Sequence, residues 1–476
     1  MKNWPTGRSA AVILLSASSL SIAATASAQT KAQDAAGEQI QIFRWTEDYS
    51  YIEEMERPRA GFEHLKWLPV DPNIRLNLGG QYRLRVDSFH NPNFGLVSGQ
   101  DGFTSVTHRF LAHADIHVGD NIRIFTELGS YVEDGREPGA RPVDESAPDL
   151  QQAFVELRSD TLPFSPMLRL GRQEIVFGAP RFLSLREGAN TRRRFDAARL
   201  DLNIEDSTLT FFAGRPIALD DGWFSDSSDN TEAAWGIYLQ SPSPFSAAGG
   251  LDLAYIGRRD EDESWAQGTG SERRHTFSVR AFGEAPLSAG MFDYDVQGGV
   301  QTGTFGNGDI FAWGLSAEIG YRFEEIFWTP RFALRANAMS GDDNPDDPDL
   351  GTLNALYPNL AYFTDATVFA PANMIDIHPM IEFRPHERLT FEVGADFLFR
   401  MREEDAIYGA GYVPLVPARQ GGSGQIATLA EITAIWKVND HFELKASYVR
   451  GLAGPVIDRV GGSDFDFGLV QASFRF

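Results

Sequence analysis

From Ile74 to Val86 the chain alternates. Ile74, Leu76, Leu78, Gly80, Tyr82, Leu84 and Val86 fall on one side, and Arg75, Asn77, Gly79, Gln81, Arg83 and Arg85 on the other. A repeat of two residues is that of a β-strand whose two faces meet different media. The pattern returns along the chain. Phe110, Ala112, Ala114, Ile116 and Val118 interleave with Arg109, His113, Asp115 and His117. Phe292, Tyr294, Val296 and Val300 alternate with Asp293, Asp295, Gln297 and Gln301, and Phe391, Val393, Ala395, Phe397 and Phe399 with Glu392, Asp396 and Arg400. Such a charged second face does not suit a sandwich core. It suits a barrel with lipid outside and water inside.

Eighteen such segments follow, the first over 73–89 and the last over 464–476. Their connections alternate in length. Gly119-Asp120, Glu205-Asp206, Pro385–Arg388 and Val438–Asp440 are short, whereas 90–103, 134–149, 178–193, 216–232, 340–375 and 401–424 are long. Short periplasmic turns and long outer loops are the habit of outer-membrane barrels. The pattern therefore predicts an all-β protein: a membrane-spanning antiparallel up-and-down β-barrel of about 18 strands over 73–476 in the bacterial outer membrane. The closing Phe474 and Phe476 share a face with Val470 and Ala472, like the terminal strand of such barrels.

Two stretches precede the barrel. Lys2 and Arg8, an apolar run from Ala10 and the small residues Ala26-Ser27-Ala28 mark 1–28 as a signal peptide. Residues 29–72 lack clear alternation and are expected to form a periplasmic N-terminal segment that packs into the barrel mouth. No run of 18 apolar residues follows the leader, so no membrane-spanning helix is expected.

Composition narrows the chemistry. The chain has no cysteine, which excludes thiolate metal sites, disulfides and a lipid-bearing N-terminal cysteine. Its formal charge is −24, and losing Lys2 and Arg8 with the leader leaves 40 basic against 66 acidic residues, or −26. Against that background "REGANTRRRFDAARLD" (186–201) is anomalous. It holds Arg186, Arg192, Arg193, Arg194 and Arg199, and from Leu168 to Arg199 eight arginines face three acids, Glu174, Glu187 and Asp196. Residues 178–193 are a long connection, and a long loop can fold back into a barrel and narrow it. Arginines there would form an anion-selective constriction, since the guanidinium fork accepts both oxygens of a carboxylate. The expected pore-lining, anion-binding set is Arg172, Arg186, Arg192, Arg193, Arg194 and Arg199, with Arg85 and Arg109 added by alternation. Glu174, Asp115, Glu156 and Asp201 are the expected counter-charges. The competing reading pairs these arginines with lumen acids or with lipopolysaccharide phosphates outside.

Other constellations are weaker. His113 and His117 share a strand face but lie roughly 13 Å apart, too far for one metal. "GDDNPDDPD" (341–349) lacks the glycine and glutamate of a calcium loop and is expected to be a solvated acidic loop. There is no G-x-S-x-G and no P-loop, so neither a cofactor nor catalysis is expected. A lipid hydrolase would need a serine near His108, the one histidine on a lipid-facing position.

"LRLGRQEI" (168–175), "REGANTRRRFDAARLD", "SGDDNPDDPDLGTLNALYPNLAYF" (340–363), "PANMIDIHP" (371–379) and the terminal "FRF" resemble the alginate export family of outer-membrane porins, in a wider branch of it. The resemblance runs from about Phe43 to Phe476. It implies a monomeric eighteen-stranded barrel with an electropositive lumen, Arg172 as a lumen arginine, and passage of an anionic polysaccharide such as alginate. Implied partners are outer-membrane lipid and lipopolysaccharide, with a place for a periplasmic export partner and none for nucleic acid. The alternative is a general small-solute porin for sugar or aromatic acids.

If the leader is cleaved after Ala28, mass spectrometry of the protein extracted from membranes will find Gln29 at its N-terminus.

Overall fold

The computed structural model describes residues 40–244, 248–359 and 361–476. The expected signal peptide and residues 29–39 of the N-terminal segment lie outside the described residues. Alternation along the chain is converted into one closed barrel of 18 antiparallel strands. These are β1 (Ile74–His90), β2 (Gly102–Val118), β3 (Ile122–Asp134), β4 (Ser146–Arg158), β5 (Met167–Gln173) and β6 (Phe195–Ile204). Then come β7 (Ser207–Ala218), β8 (Glu232–Pro242), β9 (Ala248–Trp265), β10 (Gly268–Leu287), β11 (Gly290–Phe305) and β12 (Gly308–Phe323). The last six are β13 (Arg331–Met339), β14 (Met374–His386), β15 (Leu389–Arg400), β16 (Gln425–Lys437), β17 (Phe442–Ala453) and β18 (Phe465–Arg475).

Each strand pairs with its neighbours in sequence, and β1 closes the ring on β18, with Gln81 opposite Arg475 through to His90 opposite Asp466. The terminal residue continues this seam, since Gly80 and Phe476 exchange N–H···O bonds at 3.0 Å. Closure leaves no edge, which is what a strand in hydrocarbon requires. The outer wall carries exposed apolar side chains such as Phe110, Leu128, Val155, Leu170, Val296 and Leu315. Burial there waits on lipid.

The strands correspond one to one with the eighteen expected segments, and two differences have physical causes. β9 and β10 run to a two-residue turn at Ala266-Gln267, past the expected ends at 259 and 272. Residues 258–264, RRDEDES, are polar on both faces, so these strands continue as a paired ribbon beyond the lipid belt. β5 stops at Gln173 although alternation carries on through Ile175 and Phe177. Both side chains are buried inside the barrel, Phe177 against Phe212 of β7 and Tyr238 of β8, so their apolar faces are satisfied without lipid.

Two loops fill the interior. Residues 174–194 and 340–373 join each other through Ser184 N–H to Tyr357 O (3.0 Å) and Tyr357 N–H to Phe182 O (3.0 Å). Their buried apolar residues include Leu183, Leu353, Leu356 and Phe363. Wall glycines make room for them. A Cβ on Gly299 of β11 would lie 3.1 Å from the Phe182 ring, and one on Gly314 of β12 would lie 2.9 Å from Leu353. The N-terminal stretch, three short 3-10 turns over Arg44–Thr46, Ser50–Glu54 and Gly61–Leu65, leads into the short strand Leu68–Asp71 beside β1.

Leu315→Arg, on the outward face in the middle of β12, is expected to cost about 2–4 kcal/mol of folding stability in bilayers. Leu315→Ala is expected to cost less than the arginine substitution, and denaturant titration of vesicle-inserted protein compares the two.

Candidate functional site

The loop over 174–194 carries five arginines (Arg181, Arg186, Arg192, Arg193 and Arg194) against two glutamates, Glu174 and Glu187. It crosses the lumen. At one end Arg181 donates to Asp295 (3.0 Å) and Gln297 (2.9 Å) on the inward face of β11. At the other, inward arginines of β1 and β2 hold residues 187–190. Arg109 donates to Asn190 O (2.7 Å), Ala189 O (2.7 Å) and Glu187 Oε1 (2.6 Å). Arg83 reaches Glu187 O (3.0 Å) and Ala189 O (2.9 Å), and Arg85 reaches Gly188 O (3.0 Å). A guanidinium offers five donors in a fork, so three arginines can saturate the carbonyls of a loop that has no ladder of its own.

Glu187 is the hub. Its carboxylate takes Arg109 at 2.6 Å, Arg192 at 2.5 Å and Arg83 at 3.4 Å. Burial opposes its ionisation, but Arg109, Arg192 and Arg83 together hold its carboxyl well below the usual range. One negative charge is shared among three positive ones, so the hub remains cationic. The arginine run itself contains this acid, and its spacing from Arg192 was the available signal for the pairing.

The remaining arginines separate by partner. Arg194 pairs with Asp226 of the 219–231 loop, and Arg172 with Asp149 (3.2 Å) and Asp196 (3.0 Å). Arg199 pairs with Asp201 at 2.8 Å and lies over the Phe177 ring. Arg186 and Arg193, both partly exposed, have no carboxylate within ion-pair distance among the described residues. Arg186 has a left-handed backbone (φ 58°) and donates to Thr191 O at 3.3 Å. Arg193 lies over the Tyr357 ring, 5.1 Å from its centroid. Arg186 Nε and Arg193 Nη1 donate to no acceptor among the described residues. Burial, then the like charge of Arg193, lowers the Arg186 pKa to about 9. Burial lowers that of Arg193 to about 10. Both stay charged at neutral pH, and an anion would relieve the cost of that charge.

This placement corrects the expected pore-lining set in part. Arg85, Arg109, Arg192 and Arg194 project inward but do not face open water, with exposures of 7%, 0%, 1% and 2%. They are wedged between loop and wall, where pairing and carbonyl contacts are the condition for burying a charge. Glu174, expected as a lumen counter-charge, is fully buried under the loop, accepting from Gln151 at 2.7 Å with Arg192 at 3.9 Å. Asp115 and Glu156 serve other arginines. Arg123 binds Asp115 at 2.6 Å, and Arg169 binds Glu156 from the next strand. Asp226 and Asp149 were not legible as partners, because they come from a separate outer loop and a strand end that only the fold brings to the arginines.

The other motifs resolve simply. His117 bonds Asp115 at 3.0 Å, whereas His113 stacks on Phe125. In 341–349 Asp343, Asp346, Asp347 and Asp349 are exposed. Asp342 is buried instead, accepting from Gly351 N–H at 2.6 Å, because the loop folds back on itself there. The His108 ring bonds the Tyr82 hydroxyl at 2.9 Å and stacks with Tyr82 and Phe110.

The model of the alginate export family matches residues 74–470. No curated protein matches the chain in sequence. Solved structures with the same fold include three porins of Pseudomonas aeruginosa. OccK8 (OprE) is 10% identical with a TM-score of 0.57, covering 84% of this chain and 98% of that one. OccK5 (OpdH) is 14% identical with a TM-score of 0.54, over 84% and 98%. OccK2 (OpdF), solved in complex with glucuronate, is 10% identical with a TM-score of 0.53, over 84% and 96%.

Glu187→Gln is expected to loosen residues 174–194 by about 3 kcal/mol, because three buried guanidiniums lose their shared carboxylate. Hydrogen exchange of the loop measures this. In the unaltered chain the loop stays protected at pH 4: a lowered carboxyl pKa keeps its stabilisation until the pH falls through that lowered value.

Proposed function

We propose, starting from a chain that belongs to the alginate export family and is an outer-membrane channel for solutes, that its cargo is carboxylated: a uronate-type sugar acid or polysaccharide. The observation that carries this is the pair Arg186 and Arg193, partly exposed, without carboxylate partners among the described residues, on a loop that crosses the lumen. Arg172 and Arg199, also partly exposed but already paired, flank them as secondary contacts. Arg83, Arg109 and Arg192 contribute field rather than contact, because Glu187 balances the three with one charge, whereas Arg85 and Arg194 are paired with Asp87 and Asp226.

The mechanism is electrostatic. Fixed guanidiniums lower the cost of bringing an anion into a narrow, partly desolvated passage, and their field falls off over a few ångströms beside water. The acids that pair with Arg172 and Arg199 keep each site weak, so a bound carboxylate can leave for the next. No step requires a cofactor or a covalent intermediate. The barrel acts as a monomer, with its apolar outer wall against lipid and its outer loops among lipopolysaccharide.

A second reading takes small sugar acids in place of polymer. It is favoured by the filling of the interior, where both long loops and the N-terminal segment occupy space that a polysaccharide would need.

Arg186→Ser together with Arg193→Ser is expected to reduce anion over cation selectivity while leaving the loop latched by Glu187. Reversal potentials across a planar bilayer in a salt gradient report it, and unchanged potentials would refute the carboxylate reading. Liposome swelling with uronate monomers, uronate oligomers and neutral sugars of matched size separates the two cargo classes. Entry of monomers alone selects the small-acid channel.

A further inference from the structure

One buried aromatic pair of the lumen wall is covered by neither of the two clusters that hold the 340–373 loop. Phe125 on β3 and Phe154 on β4 both point inward, are 0% and 3% exposed, and stack at 5.3 Å. They are covered by the N-terminal segment. Phe43 and Trp45 form a buried cluster with Phe125, Phe154 and Leu185 of the crossing loop. The wall therefore carries an aromatic socket for this segment.

Polar contacts around the socket are equally specific. Arg44, buried to 2%, donates to Phe476 O at 2.6 Å and Gly80 O at 3.3 Å, on the seam where the first and last strands meet. Arg123 donates to Trp45 O at 2.6 Å, and the Arg169 guanidinium lies 6.0 Å from the Trp45 ring. Lys66 donates to Leu78 O at 2.8 Å. Arg192 of the crossing loop reaches Ile42 O at 3.5 Å, so the segment touches the constriction itself.

The way the segment is held differs from the way the barrel is held. Its contacts with the wall run through side chains, and it contributes no rung to the eighteen-strand ladder before Leu68. It can leave without breaking a strand pair. The junction is marked by Trp67, a non-glycine residue at φ 49° beside the four-residue strand Leu68–Asp71. Left-handed backbone at a large residue is held in place by its surroundings.

We propose that residues 40–67 are a docked gate: seated in the aromatic socket they close the passage below the crossing loop, and undocking as a unit about Trp67 opens it. The gate acts on any solute, so it stands apart from the carboxylate reading. Ion flow through the pore reports the gate, and reversal potential reports the selectivity.

The test uses the full chain in planar bilayers with potassium chloride. Arg44→Ala together with Trp45→Ala removes the seam anchor and the socket ligand, and is expected to raise mean conductance and lengthen open times. In the opposite direction, Glu53→Cys with Arg75→Cys replaces a 2.7 Å ion pair between the segment and the start of β1. The chain has no other cysteine, so a reducible bismaleimide can tether this pair selectively. The tethered pore is expected to stay closed, and reduction of the linker to restore openings. Heat-modified migration on gels confirms that each barrel is folded. If the anchor variant does not insert, the tether decides, since it removes no packed side chain. A tethered pore that opens as often as the untethered one overturns the gate, as does an anchor variant that inserts and conducts like the wild type.

Discussion

In hydrocarbon every backbone N–H and C=O must be bonded within the protein, because no water is there to take its place. A sheet meets that demand only when its first strand pairs with its last. Here the pairing of β1 with β18, extended by the reciprocal bonds of Gly80 and Phe476, completes the ring. The rest follows from this closure. It gives the barrel an outside that can be apolar without core partners and an inside that can hold charge without lipid contact. It also sets a perimeter wide enough for two loops and an N-terminal segment.

Charge inside that perimeter obeys a second constraint. A buried guanidinium needs a carboxylate or several carbonyls, and the lumen supplies both unevenly. On the β11 side Arg181 and Arg280 are matched by Asp295. On the β1 and β2 side Arg83, Arg109 and Arg192 converge on Glu187, and Arg83 and Arg109 take up their remaining demand through carbonyls of residues 187–190. The arrangement fixes the loop and leaves a positive field around it. Most of the arginine run thus holds the loop, and among the described residues Arg186 and Arg193 are the members of that loop without a carboxylate partner. The same logic explains Arg44, whose donors end on the seam carbonyls.

The barrel was legible almost strand by strand, because lipid outside and water inside impose a period of two that nothing in the tertiary structure overrides. Strand ends were less legible where that contrast fades, as at the charged 258–264 ribbon and at Ile175 and Phe177, which bury inside the barrel. Of the candidate site, the location of the arginine cluster on a long connection could be read, together with the likeness carried by "LRLGRQEI" and "REGANTRRRFDAARLD". Its internal division could not. Arg192 and Arg193 are adjacent in sequence, yet one is locked to Glu187 and the other rests on Tyr357, a residue 164 positions away.

Sequence alone determined the architecture of this chain: fold class, strand number, membrane setting and the excess of positive charge in one loop. These depend on local periodicity and composition, which each segment carries independently of the others. Only the tertiary structure decided which way the loop folds, which arginines are spent on holding it, and that an N-terminal stretch without periodicity sits on inward-facing Phe125 and Phe154. Those outcomes depend on contacts between residues distant along the chain. The physical reason is that a charge or an aromatic ring is defined by its partner, and the partner is chosen by closure of the barrel.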